Sequence, residues 1–564
     1  MSSTKFLNDP AGVVEDYITA LVSSGADLVR VDGWPVVVRG PRSRKSADRV
    51  VLVTGGGSGH EPAHAGYVGL GMLDAAVLGP VFTSPSVDAV YAAIRTVATD
   101  AGVLLIVKNY TGDRLNFGLA AEMARADGIR VEMVVVADDA ALGDTSRAGR
   151  RGLSATVLAH KVAGAAAESG AGLDEVAAVV RRLLAGAATM GVALGAATVP
   201  GAVAASFDLD DDEIEWGLGI HGEAGSSRGR LRPSRDLAGG LVERIASDRG
   251  LTAGDDVVVL VNGLGGTPDL ELRILHGDVL AEAAVRGLRV RMTWAGPFLT
   301  SLDMPGASVT LARVDDELLT LLGAPARVLA FPAETPVRDP DAATTVPAPA
   351  EPPRRRGTGA AEPAVETVHA VTRVVAETLL AHEPELTDLD RRVGDGDLGV
   401  NLARGARAVL AAEGQLRTLP TPADHLAEVS DIVRREVGGT SGPLYSILLL
   451  AMSERLHAAG ARPAAEDWTD AARGAVARIR TVGGAAPGDS TMIDALQPMA
   501  DLLDQGIDAA ARAARAGAEG TAGLRAALGR SSYVGERSVG VPDPGAIAVA
   551  HQLEAIAAAL GARA

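Results

Sequence analysis

VVLVTGGGSGHEPAHAG, residues 50–66, sets a short valine-rich run directly against a run of glycines that ends in a histidine. β-Branched residues without alternation are what a strand buried on both faces requires. The glycines that follow can adopt backbone angles closed to other residues and let a ligand approach their N–H groups. Runs of the same character recur at 103–107, 131–136 and 257–261, each ending in Gly, Asn or Asp and separated from the next by stretches with helical periodicity. Such alternation predicts an α/β region with a largely parallel sheet, in which ligands sit beyond the carboxyl ends of the strands. The loops at Gly55 and Lys108 are therefore the places to look for a site.

Moving outward, apolar periodicity stops at 333–360, where six prolines and a triple arginine occupy the chain. Proline at that density holds the backbone extended and denies it ladder bonds, so this stretch is expected to be a solvated linker. It separates an α/β region, 1–332, from a second region, 361–564. In the latter, Val365, Val368, Val371, Val375 and Leu379 fall at helical spacing, and Ala-rich amphipathic segments continue to the end. An all-helical domain is predicted there. GGTSG at Gly438 and PGDSTMID at Pro487 interrupt it as loops between helices.

Composition narrows the chemistry. The 53 basic and 71 acidic residues give a net charge of -18, which argues against nucleic acid or an anionic membrane as partner. There is no cysteine, so disulfides, thiol nucleophiles and thiolate metal sites are excluded, and any metal must be held by oxygen or imidazole. The first residues lack an apolar core behind a basic start, and no apolar stretch reaches membrane-spanning length. The expected location is the cytoplasm.

The glycine run 55–59 serves either as a phosphate site or as a tight turn, but GxxxxGK[ST] is not matched, which excludes an ordinary P-loop. KNYTGDRLNFG places Lys108 and Asp113 on a second carboxyl-end loop; the plainer alternative is a solvated turn whose aspartate caps a helix. In WGLGIHGEAG, Gly217, Gly219 and Gly222 match GxGxxG formally. The acidic run DLDDDEIEW precedes them where a dinucleotide fold needs a buried strand, so the nicotinamide reading is rejected. Of the ten histidines, His60 and His221 are the candidates, because they lie in glycine-dense loops.

LDRRVGDGDLGVN, residues 389–401, packs Asp390, Asp395 and Asp397 into eight residues. Carboxylates that close repel one another, a conflict a divalent cation relieves, and hard oxygen donors suit Mg²⁺ and, through it, nucleotide phosphates. A solvated acidic turn is the alternative. An EF-hand is excluded, since no glutamate stands at its twelfth position.

Taken in order, GGGSGHEPAHAG, FTSPSVDAV, GLGIHGEAG, TSLDMPGAS, GDGDLGVN, GGTSGPLY, PGDSTMIDAL and YVGERSVGVPDPGA resemble the single-chain dihydroxyacetone (glycerone) kinases over nearly the whole length. The resemblance implies a ketose-binding domain fused to an ATP-binding helical barrel. It implies that His221 bonds covalently through a ring nitrogen to the substrate carbonyl, a hemiaminal that needs a neutral imidazole as nucleophile. His60 and Asp113 become acid/base groups at the terminal hydroxyl, with Gly57, Ser58, Gly59 and Lys108 lining the pocket. Asp390, Asp395 and Asp397 become ligands of two Mg²⁺ ions bridging the ATP phosphates. Leu398, Gly399, Val400, Asn401, Thr440, Ser441, Gly483, Met492, Arg530, Asp543, Pro544 and Gly545 correspond to the nucleotide pocket.

The same resemblance implies a homodimer in which the helical domain docks across subunits, a small ketose and ATP as partners, and free ATP as donor because the two domains are fused. Ser490 stands where relatives often carry a basic residue and Val541 where many carry histidine, departures that bear on nucleotide affinity. Dihydroxyacetone is the expected substrate. L-Erythrulose is the alternative, giving the 1-phosphate, followed by glyceraldehyde. A non-catalytic ketose sensor would show damage to the aspartates or the His221 loop, which are intact. Cyclising lyase activity on FAD with Mn²⁺ is a side reaction of some relatives.

Overall fold

In the computed structural model the described residues are 5–24, 27–142, 149–201, 207–223, 225–333, 361–394, 396–528 and 538–561. The chain divides into two compact units, Met1–Val346 and Pro347–Ala564. The stretch read as a linker lies outside the described residues, Ala333 apart.

The first unit holds two six-stranded sheets with helices on their faces. One contains β1 (Leu28–Arg30), β2 (Val36–Arg39), β3 (Val51–Ser58), β4 (Ala75–Val81), β5 (Val103–Lys108) and β6 (Val131–Val136), in the order β1-β2-β4-β3-β5-β6. Its β4, β3, β5 and β6 run parallel, while β1 and β2 add an antiparallel edge. The other contains β7 (Ala187–Ala193), β8 (Glu213–Trp216), β9 (Ser227–Arg230), β10 (Asp256–Gly263), β11 (Arg289–Gly296) and β12 (Gly306–Arg313), ordered β11-β10-β12-β7-β8-β9. Here β10 and β11 are parallel and the remaining pairs antiparallel, so the expectation of a largely parallel sheet holds for the first sheet and fails for the second. Burial on both faces removes the alternation that marks antiparallel strands, and strand direction leaves no other trace in such a run.

Alternate residues of each strand feed different cores. Leu52, Leu104 and Ile106 join Val258, Leu260 and Trp294 of the second sheet in one cluster, around Val157, Val162, Val176 and Val180 of the helices Ala155–Ser169 and Leu173–Gly186. These two helices thus lie between the sheets. Ala155–Ser169 is buried over nearly its whole circumference, the signature of a central helix. Val51, Val53, Val103 and Leu105 face outward onto the helices Val87–Val97 and Thr111–Ala126.

The glycine run differs from its sequence reading. Gly55, Gly56 and Gly57 are not a loop but the carboxyl end of β3, paired with Val77, Leu78 and Gly79 of β4. A Cβ on Gly55 would lie 2.3 Å from the Val77 carbonyl oxygen, and one on Gly57 would lie 2.5 Å from the Thr83 nitrogen. Glycine is required because neighbouring backbone passes too close for a side chain.

The second unit is helical, with no strand among the described residues. Its long helices are Pro363–Ala381, Glu383–Val393, Leu398–Ala411, Pro422–Glu436, Ser441–Ala459, Ala465–Gly483, Ile493–Leu502, Ile507–Gly520 and Pro544–Gly561. The apolar face of the first turns inward, so that Val368, Val371 and Val375 help line a cavity of about 690 Å³ together with Leu402, Leu426 and Leu553. None of the described helices is long and apolar enough to cross a membrane.

We expect Gly57→Ala to destabilise the first unit by about 1–3 kcal/mol, the usual cost of forcing atoms into a filled space. Gly118→Ala, on the helix Thr111–Ala126 with nothing within 4 Å of the new Cβ, should be neutral or stabilising by up to about 1 kcal/mol. Thermal unfolding of the two variants side by side checks the contrast.

Candidate active site

Beyond the end of β3, Gly59 takes a φ of +102°, and the chain delivers His60 into the interior. Thr300 receives the ring: Nδ1 of His60 lies 2.8 Å from the Thr300 carbonyl oxygen. A carbonyl only accepts, so Nδ1 carries the proton and Nε2 the lone pair. That Nε2 is buried without a hydrogen-bond partner. Burial, then the neighbouring His221 and Lys108, hold the His60 pKa well below its ordinary value, which keeps the ring neutral. The Ser58 hydroxyl, by contrast, is used structurally, donating to the Gly79 carbonyl at 2.7 Å.

His221 follows β8, and its ring meets that of His60 edge-on at 4.8 Å between centroids. Tyr110 stands 4.6 Å and Phe82 5.3 Å from the same ring. Its Nδ1 lies 2.9 Å from a Glu223 carboxylate oxygen, and its backbone N–H donates to the other oxygen at 3.0 Å. With Nδ1–H directed at the carboxylate, the Nε2 lone pair is the nucleophilic face. Burial works to raise the Glu223 pKa, but the hydrogen bond and charge of His221 and the backbone N–H bonds outweigh it and bring it down to about 2. Arg151 holds the base of the loop, donating to Asp139 and to the Gly217 carbonyl, both at 2.6 Å. A Cβ on Gly219 would fall 2.0 Å from Glu223 Oε2, so this glycine makes room for the carboxylate. The last four residues of the acidic run, Glu213–Trp216, form the short strand β8. The dinucleotide reading still fails, because β8 pairs antiparallel with β7 and β9.

Lys108 and Asp113 are not on a solvated loop. Lys108 ends β5 and Asp113 sits in the first turn of Thr111–Ala126, and both are buried. The ammonium lies 4.0 Å from Asp113 Oδ2, while Ser84 donates to Asp113 Oδ1 at 2.5 Å. His64, overlooked in the sequence, places its Nε2 2.7 Å from Lys108 Nζ. Its signal was present, four residues after His60 in the same motif, as was that of Glu223, two residues after His221. Phe82, in FTSPSVDAV, and Tyr110, in KNYTGDRLNFG, also lie in quoted strings, but an aromatic there is not by itself a sign of a site.

In the helical unit the predicted nucleotide residues gather at helix ends. Leu398, Gly399, Val400 and Asn401 form the first turn of Leu398–Ala411, and Thr440 and Ser441 open Ser441–Ala459. Gly483 closes Ala465–Gly483, Met492 precedes Ile493–Leu502, and Asp543, Pro544 and Gly545 open Pro544–Gly561. Helix N-termini present free N–H groups and a positive dipole end to an anion. Asp390 Oδ2 accepts from the N–H groups of Asp397 at 2.9 Å and Leu398 at 3.1 Å, so one carboxylate oxygen of the cluster is bonded to backbone at the start of Leu398–Ala411.

Asp494, absent from the sequence prediction, accepts from the N–H groups of Gly488 at 2.5 Å and Thr491 at 2.9 Å. Burial, together with the charges of Asp494 and Asp390 and against its bond from the Ala546 N–H, pushes Asp543 up to about 7. Uncompensated carboxylates converging in this way are the donor set a hard divalent cation fits. Asp395 and Arg530 lie outside the described residues. Ser490 is buried with a φ of +57°. Elsewhere, His382, Glu385 and His551 bring ligand atoms within 4.8 Å of one another. Arg515 already donates to His551 Nδ1 at 3.0 Å, which leaves the ring proton on Nε2 and no lone pair for a metal there.

Residues 19–330 match the Dak1 domain family and residues 392–558 the DAK2 domain family. The chain is 41% identical over 575 residues to the triokinase/FMN cyclase of Homo sapiens, covering 99% of each. The crystal structure of the dihydroxyacetone kinase of C. freundii superposes with a TM-score of 0.67 at 35% identity, covering 99% of this chain and 100% of that one. The same protein solved with AMP-PNP and Mg²⁺ gives a TM-score of 0.67 at 34% identity, over 99% of this chain and 100% of that one. A dihydroxyacetone kinase operon co-activator matches 57% of this chain and 98% of its own, with a TM-score of 0.54 at 34% identity.

Because its folded-state pKa is depressed, Glu223 contributes stability that is present above its ordinary value of 4.5 and is lost as pH falls toward about 2. Chemical denaturation of Glu223→Gln at a series of pH values should show a flatter acid dependence than wild type over the part of that window in which the chain is folded.

Proposed function

The chain belongs to the single-chain dihydroxyacetone kinase family, and from that premise we propose that it captures a short ketose on His221 as a hemiaminal and phosphorylates its terminal hydroxyl. It is a phosphotransferase with an alcohol group as acceptor, acting as a dihydroxyacetone or triose kinase. The observation that carries the mechanistic reading is the His221–Glu223 pair: Nδ1–H faces a carboxylate at 2.9 Å, which leaves Nε2 free to attack. When Nε2 adds to the carbonyl carbon, the C=O π bond opens and its oxygen takes up a proton from solvent, balanced by the one that the ring then returns to solvent. The ring becomes cationic until Nδ1 gives up its own proton, and Glu223, held ionised by its low pKa, stabilises that charge. Glycerol has no carbonyl to enter this step.

Capture at the carbonyl carbon would bring the adjacent hydroxymethyl group among His60, Asp113 and Lys108. His60 Nε2 is neutral, buried and unpartnered, and Asp113 keeps one carboxylate oxygen clear of Ser84. Both are suited to accept the hydroxyl proton as the oxygen attacks the γ-phosphate of ATP. Asp390, Asp395 and Asp397 would hold two Mg²⁺ ions, which neutralise charge on the transferred phosphoryl group. The N–H groups of Gly399 and Val400 and of Ser441 and Gly442, in the first turns of their helices, would face the phosphates. A homodimer completes the reading.

Turnover of ATP and Mg²⁺ with dihydroxyacetone, L-erythrulose, D-erythrulose and glycerol tests the substrate, with dihydroxyacetone expected first and glycerol last. FAD with Mn²⁺ tests the cyclase activity named for the human relative. His221→Ala should abolish the ketose-sized mass increment of the intact protein while nucleotide binding persists. Asp390→Ala should weaken nucleotide binding at least about tenfold, the scale of one lost charge-assisted contact, and leave the increment in place. Full ketose turnover by His221→Ala would rule out covalent capture.

A further inference from the structure

We propose that His64 is a positioning residue for phosphoryl transfer: its Nε2 takes one N–H of the buried Lys108 ammonium and so keeps that cation from closing on Asp113. This rests on the reading of Asp113 as a base for the ketose hydroxyl. An ammonium has three donors. One is directed at the Gly55 carbonyl at 3.4 Å and one at His64 Nε2 at 2.7 Å. Asp113 Oδ2 stands off at 4.0 Å, well beyond the 2.7–2.9 Å or so of a direct ammonium–carboxylate hydrogen bond. The third N–H is therefore left for an oxygen that enters between them.

The three groups converge on the bare face of Gly56. A Cβ there would lie 2.5 Å from Lys108 Nζ and 3.6 Å from both Asp113 Oδ2 and His64 Nε2. Asp113 Oδ1 is occupied by the Ser84 hydroxyl, so Oδ2, the oxygen facing Lys108, is the one available as a base. If His64 offered no acceptor, a buried N–H would lose its partner, and the ammonium would recover it by moving onto Asp113 Oδ2. A carboxylate locked in that pair is a weaker base and is no longer open to substrate.

His64 is suited to this task because it stays neutral. Burial, then Lys108, His160 and His60, hold its pKa well below the ordinary value. Accepting on Nε2 leaves the proton on Nδ1, which is buried without a partner. The ring packs edge-on against His160, 5.2 Å away between centroids, and His160 is itself driven to about 3, chiefly by burial. The charged and titratable groups around Lys108 and Asp113 are thus His60 and His64 after β3, His160 on the central helix, and His221 beyond His60. Burial lowers the Lys108 pKa and the Asp113 carboxylate opposes that shift, so the spacing of this pair, which His64 helps set, bears on the charge beside the substrate hydroxyl.

Kinetics of the full-length protein with ATP, Mg²⁺ and dihydroxyacetone across pH test this with His64→Ala and His64→Gln. His64→Ala should lower kcat by about tenfold or more with a smaller change in KM, and shift the acid limb of the kcat profile to lower pH. His64→Gln, whose Oε1 can stand in for Nε2, should recover most of the loss, and both should still take up the ketose mass increment. Crystal structures should show Lys108 Nζ within hydrogen-bond distance of Asp113 in His64→Ala and apart from it in His64→Gln. An unchanged profile in His64→Ala, a loss that folded His64→Gln does not repair, or an unmoved Lys108 would each overturn the proposal. Wild type that turned over no ketose would defeat the functional reading instead, and the Lys108–Asp113 distance in His64→Ala would still decide this one.

Discussion

A backbone clasp between the two sheets is the constraint on which the rest of the first unit depends. The segment after β11 reaches across to the end of β3, where the N–H groups of Thr300 and Leu302 donate to the carbonyls of His60 and Gly59 at 3.2 and 2.7 Å. Ser301, between them, donates its hydroxyl to the Ile220 carbonyl at 2.6 Å. One short segment therefore fixes both histidine loops, and with the Thr300 carbonyl it also selects the tautomer of His60. The separation of the two rings is a consequence of peptide hydrogen bonds rather than of any attraction between imidazoles.

Burial then decides the electrostatics. In a medium of low effective dielectric an unpaired charge is costly, and His60, His64 and His160 respond by staying neutral. Charge is confined to Lys108, Asp113 and the Glu223 carboxylate. That division gives a nucleophilic nitrogen, an acceptor nitrogen and a cation within one small volume, without groups that neutralise one another. The helical unit solves the opposite problem: its Asp390, Asp494 and Asp543 carry like charges, and Asp543 is driven toward protonation in a way that a divalent cation would relieve.

Much of this was legible in the chain. The valine runs located β3, β5, β6 and β10, and the apolar spacing from Val365 to Leu379 located a helix, because period and composition follow directly from burial. Strand direction was not legible, which is why the second sheet was misjudged: a strand covered on both faces reads the same whichever way its neighbours run. The glycine run was read as a loop because sequence reports that a side chain is missing, not what occupies its place. Gly55 and Gly57 are bare because Val77 and Thr83 pass alongside, and Gly56 because the Lys108 ammonium does; those neighbours are distant in the chain.

The residue types of the site came from sequence alone: two histidines among glycines, a lysine and an aspartate after a strand, and a cluster of aspartates. Tertiary structure decided which atoms of those residues are free to react. Whether a ring nitrogen is a donor or a lone pair depends on the partner of the other nitrogen, and Thr300, Glu223 and Lys108 are brought to His60, His221 and His64 by the fold. A one-dimensional pattern records where a polar group is placed along the chain. Its protonation, its open face and its spacing from a counter-charge are set by the groups that folding packs around it.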